Sequence, residues 1–282
     1  PAWSWTGYYI GATVGVGVNS DPTTWNWANT YPTGTLIGVG GGPLVALTAP
    51  LTVNTSFAHR QSSVGVVGGV EAGANWQTGK WVYGVEADWS ATSQRSTSSA
   101  QPVTAQFPPY PLFFFAPGTV QGWTKSIDWL STIRVRDGIA DGPNLWFVTG
   151  GLAVAQIETS LFSSPGSPGA AATGNGAQFG LPGGVVNDHQ TKVGWTLGGG
   201  VETAISRLLG WGPGWSAKIE YLYADLGKVH INTSQVPLPT NTAAGPFVTG
   251  STSFSSSTQE HIMRVGLNYR FGAAPGAQNV EK

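Results

Sequence analysis

Between Met263 and Phe271 every second residue is apolar or aromatic. Met263, Val265, Leu267, Tyr269 and Phe271 alternate with Arg264, Gly266, Asn268 and Arg270. Side chains of a β-strand alternate between the two faces of a sheet, so this segment has one face suited to hydrocarbon and one suited to charge. The period recurs along the chain. Tyr8, Ile10, Ala12, Val14, Val16 and Val18 alternate with Tyr9, Gly11, Thr13, Gly15 and Gly17. Trp81, Tyr83, Val85, Ala87 and Trp89 alternate with Gly84, Glu86 and Asp88. Any fold must satisfy many such strands at once, which calls for a closed sheet.

Which face meets solvent follows from composition. Only 10% of the residues are charged, against roughly 25% in soluble domains. The chain carries 41 Gly and 13 Trp. A soluble lipocalin-type barrel also alternates, but its apolar face is the inner one. Here the aliphatic face ends in Trp and Tyr, while the other face carries acids and bases in near-equal number. That distribution fits a narrow charged lumen inside lipid. No apolar run of about 18 residues exists, so no transmembrane helix is expected. The absence of Cys excludes disulfides, thiolate metal sites and thiol nucleophiles. A net charge of -1 offers nothing to nucleic acid.

In order, the alternating runs span 6–19, 59–76, 81–91, 123–138, 144–160, 189–205, 215–231 and 259–271. Long connections, 20–57, 96–122, 161–188 and 232–256, follow the odd-numbered runs. Short turns at 77–80, 139–143 and 207–214 follow the even ones. The expected fold is all-β: an eight-stranded antiparallel up-and-down transmembrane β-barrel with both termini in the periplasm and long extracellular loops. Residues 1–271 form the barrel and 272–282 a short periplasmic tail. The chain opens on Pro1 rather than Met, as a product of signal-peptide removal would. Ala224-Asp225 interrupts the alternation, as a bulge or the membrane edge would.

Several motifs carry a resemblance. Trp5-Thr6-Gly7-Tyr8-Tyr9-Ile10-Gly11, Val70-Glu71-Ala72-Gly73-Ala74-Asn75-Trp76, Val85-Glu86-Ala87-Asp88, Thr149-Gly150-Gly151-Leu152-Ala153, Gly198-Gly199-Gly200-Val201-Glu202, Lys218 to Gly227 and Val265 to Phe271 resemble the alphaproteobacterial outer-membrane immunogenic proteins. These are OmpA-like, opacity-related barrels. The resemblance covers nearly all strands and not the loops. It implies an eight-stranded barrel in the outer membrane of a Gram-negative bacterium, and that the aromatic end of the last strand is read by the insertion machinery. It defines no molecular activity.

Strand parity places Glu71, Glu86, Asp88, Asp128, Glu202 and Glu220 in the lumen with Arg134, Arg136, Lys192, Lys218, Arg264 and Arg270. An eight-stranded barrel is just wide enough for its own side chains, so these charges must pair. The expected role is structural: a salt-bridged, closed lumen. The alternative is a small porin for ions or small solutes. Trp5, Trp76, Trp81, Trp146, Trp215, Tyr269 and Phe271 are expected to form an aromatic girdle at the membrane interface.

In the second long loop, Phe107, Tyr110, Phe113, Phe114 and Phe115 make an apolar patch suited to self-association or to a cell-surface protein partner. Outer-membrane lipid is the other expected partner. His59, His189, His230 and His261 fall at the extracellular rim, with Asp188 and Glu260 beside two of them. Their spacing matches no metal motif, so no metal or cofactor is expected. A rim enzyme is the remaining alternative, but no Gly-x-Ser-x-Gly elbow occurs. The glycines at 38–42 and 198–200 lack the Lys-Ser/Thr of a phosphate loop.

Overall fold

A computed structural model describes residues 3–31, 33, 36–38, 44–46, 48–100, 120–164, 184–205, 214–239 and 247–271. The strands are β1 (Gly7–Tyr31), β2 (Leu36–Gly38), β3 (Leu44–Ala46), β4 (Leu51–Thr78), β5 (Trp81–Thr92), β6 (Arg95–Ala100), β7 (Val120–Asp141), β8 (Asn144–Ser164), β9 (Gly184–Ala204), β10 (Trp215–Pro239) and β11 (Phe247–Phe271). β2 and β3 form a separate ribbon. The others form an antiparallel ring in which β5 and β6 share one stave. β1 closes it against β11, with Tyr8 opposite Phe271 and Val18 opposite His261. Among the described residues, eight staves therefore surround the lumen. Closure satisfies the backbone within hydrocarbon, where an open edge would leave polar groups bare.

The outer face marks the membrane. On β4, Val64, Val66, Val70 and Trp76 are exposed and apolar; the outward residues above them are Ser62, Arg60, Ala58, Ser56 and Asn54. β1 changes between Val18 and Ser20, β5 beyond Ala91, β8 between Val154 and Gln156, and β11 at His261. From Tyr8 to Val18 a strand tilted by about 40° climbs roughly 25 Å, the height of an outer-membrane apolar band.

The strands do not end at that boundary. β1 continues to Tyr31, β4 begins at Leu51, and β11 begins at Phe247. Much of each expected loop is strand. Above the membrane the parity is kept but the polarity reverses, because the outside now meets water. Ser251, Ser253, Ser255 and Ser257 of β11 face outward, whereas Phe254 is fully buried. Trp25, Trp123, Ile127, Ile157, Leu161, Val229, Ile231 and Phe254 fill the interior. Trp123 meets Trp25 and Phe254 edge-on, with centroids 5.6 and 5.8 Å apart.

Ladder pairing changes at the same level. β9 and β10 pair only up to Trp195 and Asp225, and β4 and β5 only up to Val67 and Thr92. Beyond those points β4-β1-β11-β10 and β6-β7-β8-β9 remain as two sheets among the described residues. The ring thus opens into a sandwich over the aromatic core. Irregularities mark the transition: the break at Ser93–Gln94, a bulge between Ile127 and Trp129, and a bulge between Asp225 and Lys228. The last holds Gly227 at φ 73°, where its N–H donates to Asp225 Oδ1 at 2.9 Å.

The tight turns carry Gly79 at φ 62° and Gly142 at φ 58°. Residues 206–213 of the third short connection, the apolar patch from Phe107 to Phe115, and 272–282 lie outside the described residues.

Candidate functional site in the barrel lumen

The lumen is built by residues whose parity turns them away from lipid. At mid-height β5 contributes Glu86 and Asp88, β4 Glu71, β7 Arg134, β10 Lys218 and Glu220, and β11 Arg264. All are buried. Arg134 Nη1 donates to Glu220 Oε1 at 2.7 Å, and its Nη2 reaches Asp88 Oδ2 at 2.9 Å and also Glu86 Oε1. Arg264 Nε donates to Glu220 Oε2 at 2.8 Å and its Nη2 to Asp88 Oδ2 at 3.1 Å. Lys218 Nζ lies 2.7 Å from Glu71, 3.1 Å from Glu86 and 3.4 Å from Glu220. The oxygens of those three acids lie within 4.8 Å of one another, and the Lys218 ammonium contacts all of them.

Below this layer Arg136 Nη2 donates to Glu202 Oε2 at 2.7 Å. Its Nη1 donates at 3.0 Å to the Tyr9 hydroxyl, which donates at 2.6 Å to Glu86 Oε2. The Arg136 guanidinium also covers the Phe147 ring at 3.9 Å. Ser216 Oγ and Asn268 Nδ2 donate to Glu202 Oε1 at 2.6 and 3.2 Å. Sequence reasoning missed Tyr9, Ser216 and Asn268. Their inward parity was the available signal, but neutral residues do not announce an ionic role.

At the periplasmic mouth Trp5 packs with Val82, Ala140, Leu145 and Phe147, with Trp3 against them. Trp5 is 0% exposed, so it is not a girdle residue. It precedes β1 and turns inward, where the Arg270 guanidinium lies 4.5 Å from its ring and 5.0 Å from that of Trp3. Arg270 therefore rests on indole faces and donates to the Ser4 carbonyl at 2.5 Å; it has no carboxylate partner among the described residues. Trp76, Trp81, Trp146 and Phe271 are exposed on the outer face. Trp215 and Tyr269 are half-buried there, with centroids 5.2 Å apart.

Two expected lumen charges stay outside the network. Asp128 is exposed and Ile127 buried, the reverse of simple alternation. The bulge between Ile127 and Trp129 shifts parity by one residue, so 123, 125 and 127 face inward above it and 130, 132 and 134 below it. Lys192 is half-buried and makes no ion pair among the described residues. On the outer surface Asp128, Glu158 and His189 bring possible ligand atoms within 4.8 Å of one another. Among the other rim histidines, His261 Nδ1 lies 2.7 Å from the Tyr221 hydroxyl.

A second polar layer crosses the interior at and above the membrane's outer edge. Lys125 Nζ donates to Asp21 Oδ2 at 2.8 Å, to Thr258 Oγ1 at 2.7 Å and to the Ser257 carbonyl at 2.7 Å. Burial lowers the Lys125 pKa, and the Asp21 carboxylate offsets part of that fall. Glu260, one residue beyond the membrane-spanning part of β11, accepts from Asn19 Nδ2 at 2.8 Å and Gln94 Nε2 at 2.7 Å. Burial pushes its carboxyl up to about 7, and the two amides pull the other way. Asp21 was hidden because its segment reads as loop.

The chain matches the outer membrane protein beta-barrel domain over residues 1–271. It is 30% identical to a 31 kDa outer-membrane immunogenic protein of Brucella melitensis over 88% of this chain and 85% of that protein. It is 21% identical to a 22 kDa outer membrane protein of Rhizobium leguminosarum over 96% of this chain and 80% of that protein. Neisserial surface protein A aligns with a TM-score of 0.31 at 11% identity, over 90% of this chain and 99% of that one. Closed ring, lipid-facing band and sequence match agree: this chain belongs to the outer-membrane β-barrel protein family of Gram-negative bacteria.

Proposed function

We propose that the protein is a structural, non-conducting outer-membrane barrel whose lumen is closed by its own side chains. The observation that carries this reading is the pairing of Arg134 with Glu86, Asp88 and Glu220, drawn from β5 and β10 on either side of it. Four bases, Arg134, Arg136, Lys218 and Arg264, are each paired with acids of the network, Glu71, Glu86, Asp88, Glu202 and Glu220. An ion entering the middle layer must displace a desolvated pair, which costs several kcal/mol. The Trp3, Trp5 and Arg270 stack below and the aromatic core above add two further obstructions. No catalytic role is proposed.

Planar-bilayer recording tests this. The purified protein should give no steady single-channel steps. Discrete, reproducible conductance steps would replace this reading with the small porin. The apolar run from Phe107 to Phe115 supports a contact role, in self-association or with a cell-surface partner, on its sequence alone.

A further inference from the structure

One carboxylate breaks the lipid-facing pattern. Along the outer face of β7 the residues are Trp129, Ser131, Ile133, Val135, Asp137 and Ile139. Asp137 is exposed and forms no ion pair or hydrogen bond among the described residues. Lys80, on the adjoining turn, does not pair with it. A charge on this face is costly unless it reaches the interface or meets a counter-charge, so it marks a candidate functional position.

Asp137 lies at the foot of a groove of about 600 Å³ on the barrel exterior. Two cross-strand rows form its walls. The lower row is Trp81, Ile139, Trp146, Val201 and Ile219, successive partners across β5, β7, β8, β9 and β10. The upper row is Asp137, Val148, Gly199, Tyr221 and Met263. Gly199 leaves the middle of the upper row without a side chain. Ile139 stands just above the turn that follows Asp141, whereas Met263 lies well up β11 from Phe271. Across strands spaced about 4.8 Å apart and tilted by about 40°, the groove rises roughly 12 Å, comparable with one leaflet of about 15 Å.

We propose that this groove is a binding site for a phospholipid of the periplasmic leaflet whose headgroup carries an ammonium. Asp137 supplies the counter-charge. Trp81 and Trp146, 58% and 62% exposed, flank it with indole faces that attract cations. One acyl chain follows the apolar rows past Gly199 toward Met263. Charge complementarity selects the occupant: a phosphatidylglycerol-type headgroup would bring net negative charge to an unpaired carboxylate.

Native mass spectrometry of the barrel released from nanodiscs made with equal phosphatidylethanolamine and phosphatidylglycerol tests the site. The wild type should retain phosphatidylethanolamine at least about fivefold over phosphatidylglycerol, and Asp137→Asn should abolish that preference. Gly199→Leu should reduce retention of both lipids by filling the groove. Heat-modifiable migration on gels identifies folded barrels, and only those are scored; should Gly199→Leu not fold, Asp137→Asn alone decides. Equal retention of the two lipids by the wild type, or an unchanged preference in Asp137→Asn, overturns the proposal.

Discussion

Arg134 Nη1 and Glu220 Oε1 meet at 2.7 Å, although their strands, β7 and β10, are separated around the wall by β8 and β9. The pair spans the interior and ties parts of the ring that share no ladder. Arg134 also holds Glu86 and Asp88, so losing it strands several buried carboxylates at once. Arg134→Ala should destabilise the barrel by about 3–5 kcal/mol, the usual cost of breaking a buried pair from one side. Asp128→Ala, an acid of the same strand but on the exposed side of the bulge, should stay within about 0.5 kcal/mol. Urea unfolding in lipid vesicles, followed by tryptophan fluorescence, measures both; similar losses would refute the assigned parity.

Trp5 seals the periplasmic mouth from inside. Trp5→Ala should cost about 3–5 kcal/mol by opening a cavity beneath Arg270. Trp146→Ala, on the lipid face, should cost less because lipid can fill the space. The same unfolding experiment ranks the two, and the reverse order would place Trp5 back in the girdle.

Glu260 sets a pH dependence. Its carboxyl stands near 7 in the folded protein against an ordinary value of 4.5, so between those values the folded state binds the extra proton. Stability therefore falls as pH rises from about 4.5 to about 7 and levels off above. Lys125 lies in the same layer but is held by Asp21, Ser257 and Thr258. Glu260→Gln should remove this slope. A wild-type profile that instead rises over that window would contradict the assignment.

The membrane boundary is testable by charge. Ile133→Arg on the lipid face should cost about 2–4 kcal/mol. Ser253→Arg, on the outward face of β11 above the boundary, should cost close to nothing. Equal penalties would mean that the apolar band is misplaced.

Removing residues 107–115 tests the contact role proposed for that loop. Sedimentation in detergent should show a smaller assembly than the full chain, with the barrel still folded. An unchanged assembly would remove the loop from consideration.

Much of this architecture is legible in residue parity. Glu71, Glu86, Asp88, Arg134, Arg136, Glu202, Lys218, Glu220 and Arg264 occupy the buried face because each keeps step with an apolar neighbour that faces lipid. Parity fails where the backbone slips: the bulge beside Asp128 turns that acid outward and Ile127 inward, and nothing in the local residue types requires it. The strands outrun the alternating apolar runs for another reason. Ser20, Thr24 and Asn26 look like loop, yet they are the water-facing side of a strand whose inner face carries Trp25.

The strand period, the closed membrane-spanning ring, the polar character of its lumen and the family are all readable from residue order. Period, ring and lumen follow from local alternation, which a pleated strand converts directly into faces, whereas the family follows from the motifs the strands carry. Folding in three dimensions sets which charge meets which, that Arg270 rests on Trp3 and Trp5 rather than on an acid, and that the ring opens into a sandwich above the membrane. Partners across a lumen come from strands far apart in the chain. Their pairing depends on the barrel's closure and on a few bulges, and no single strand carries that information.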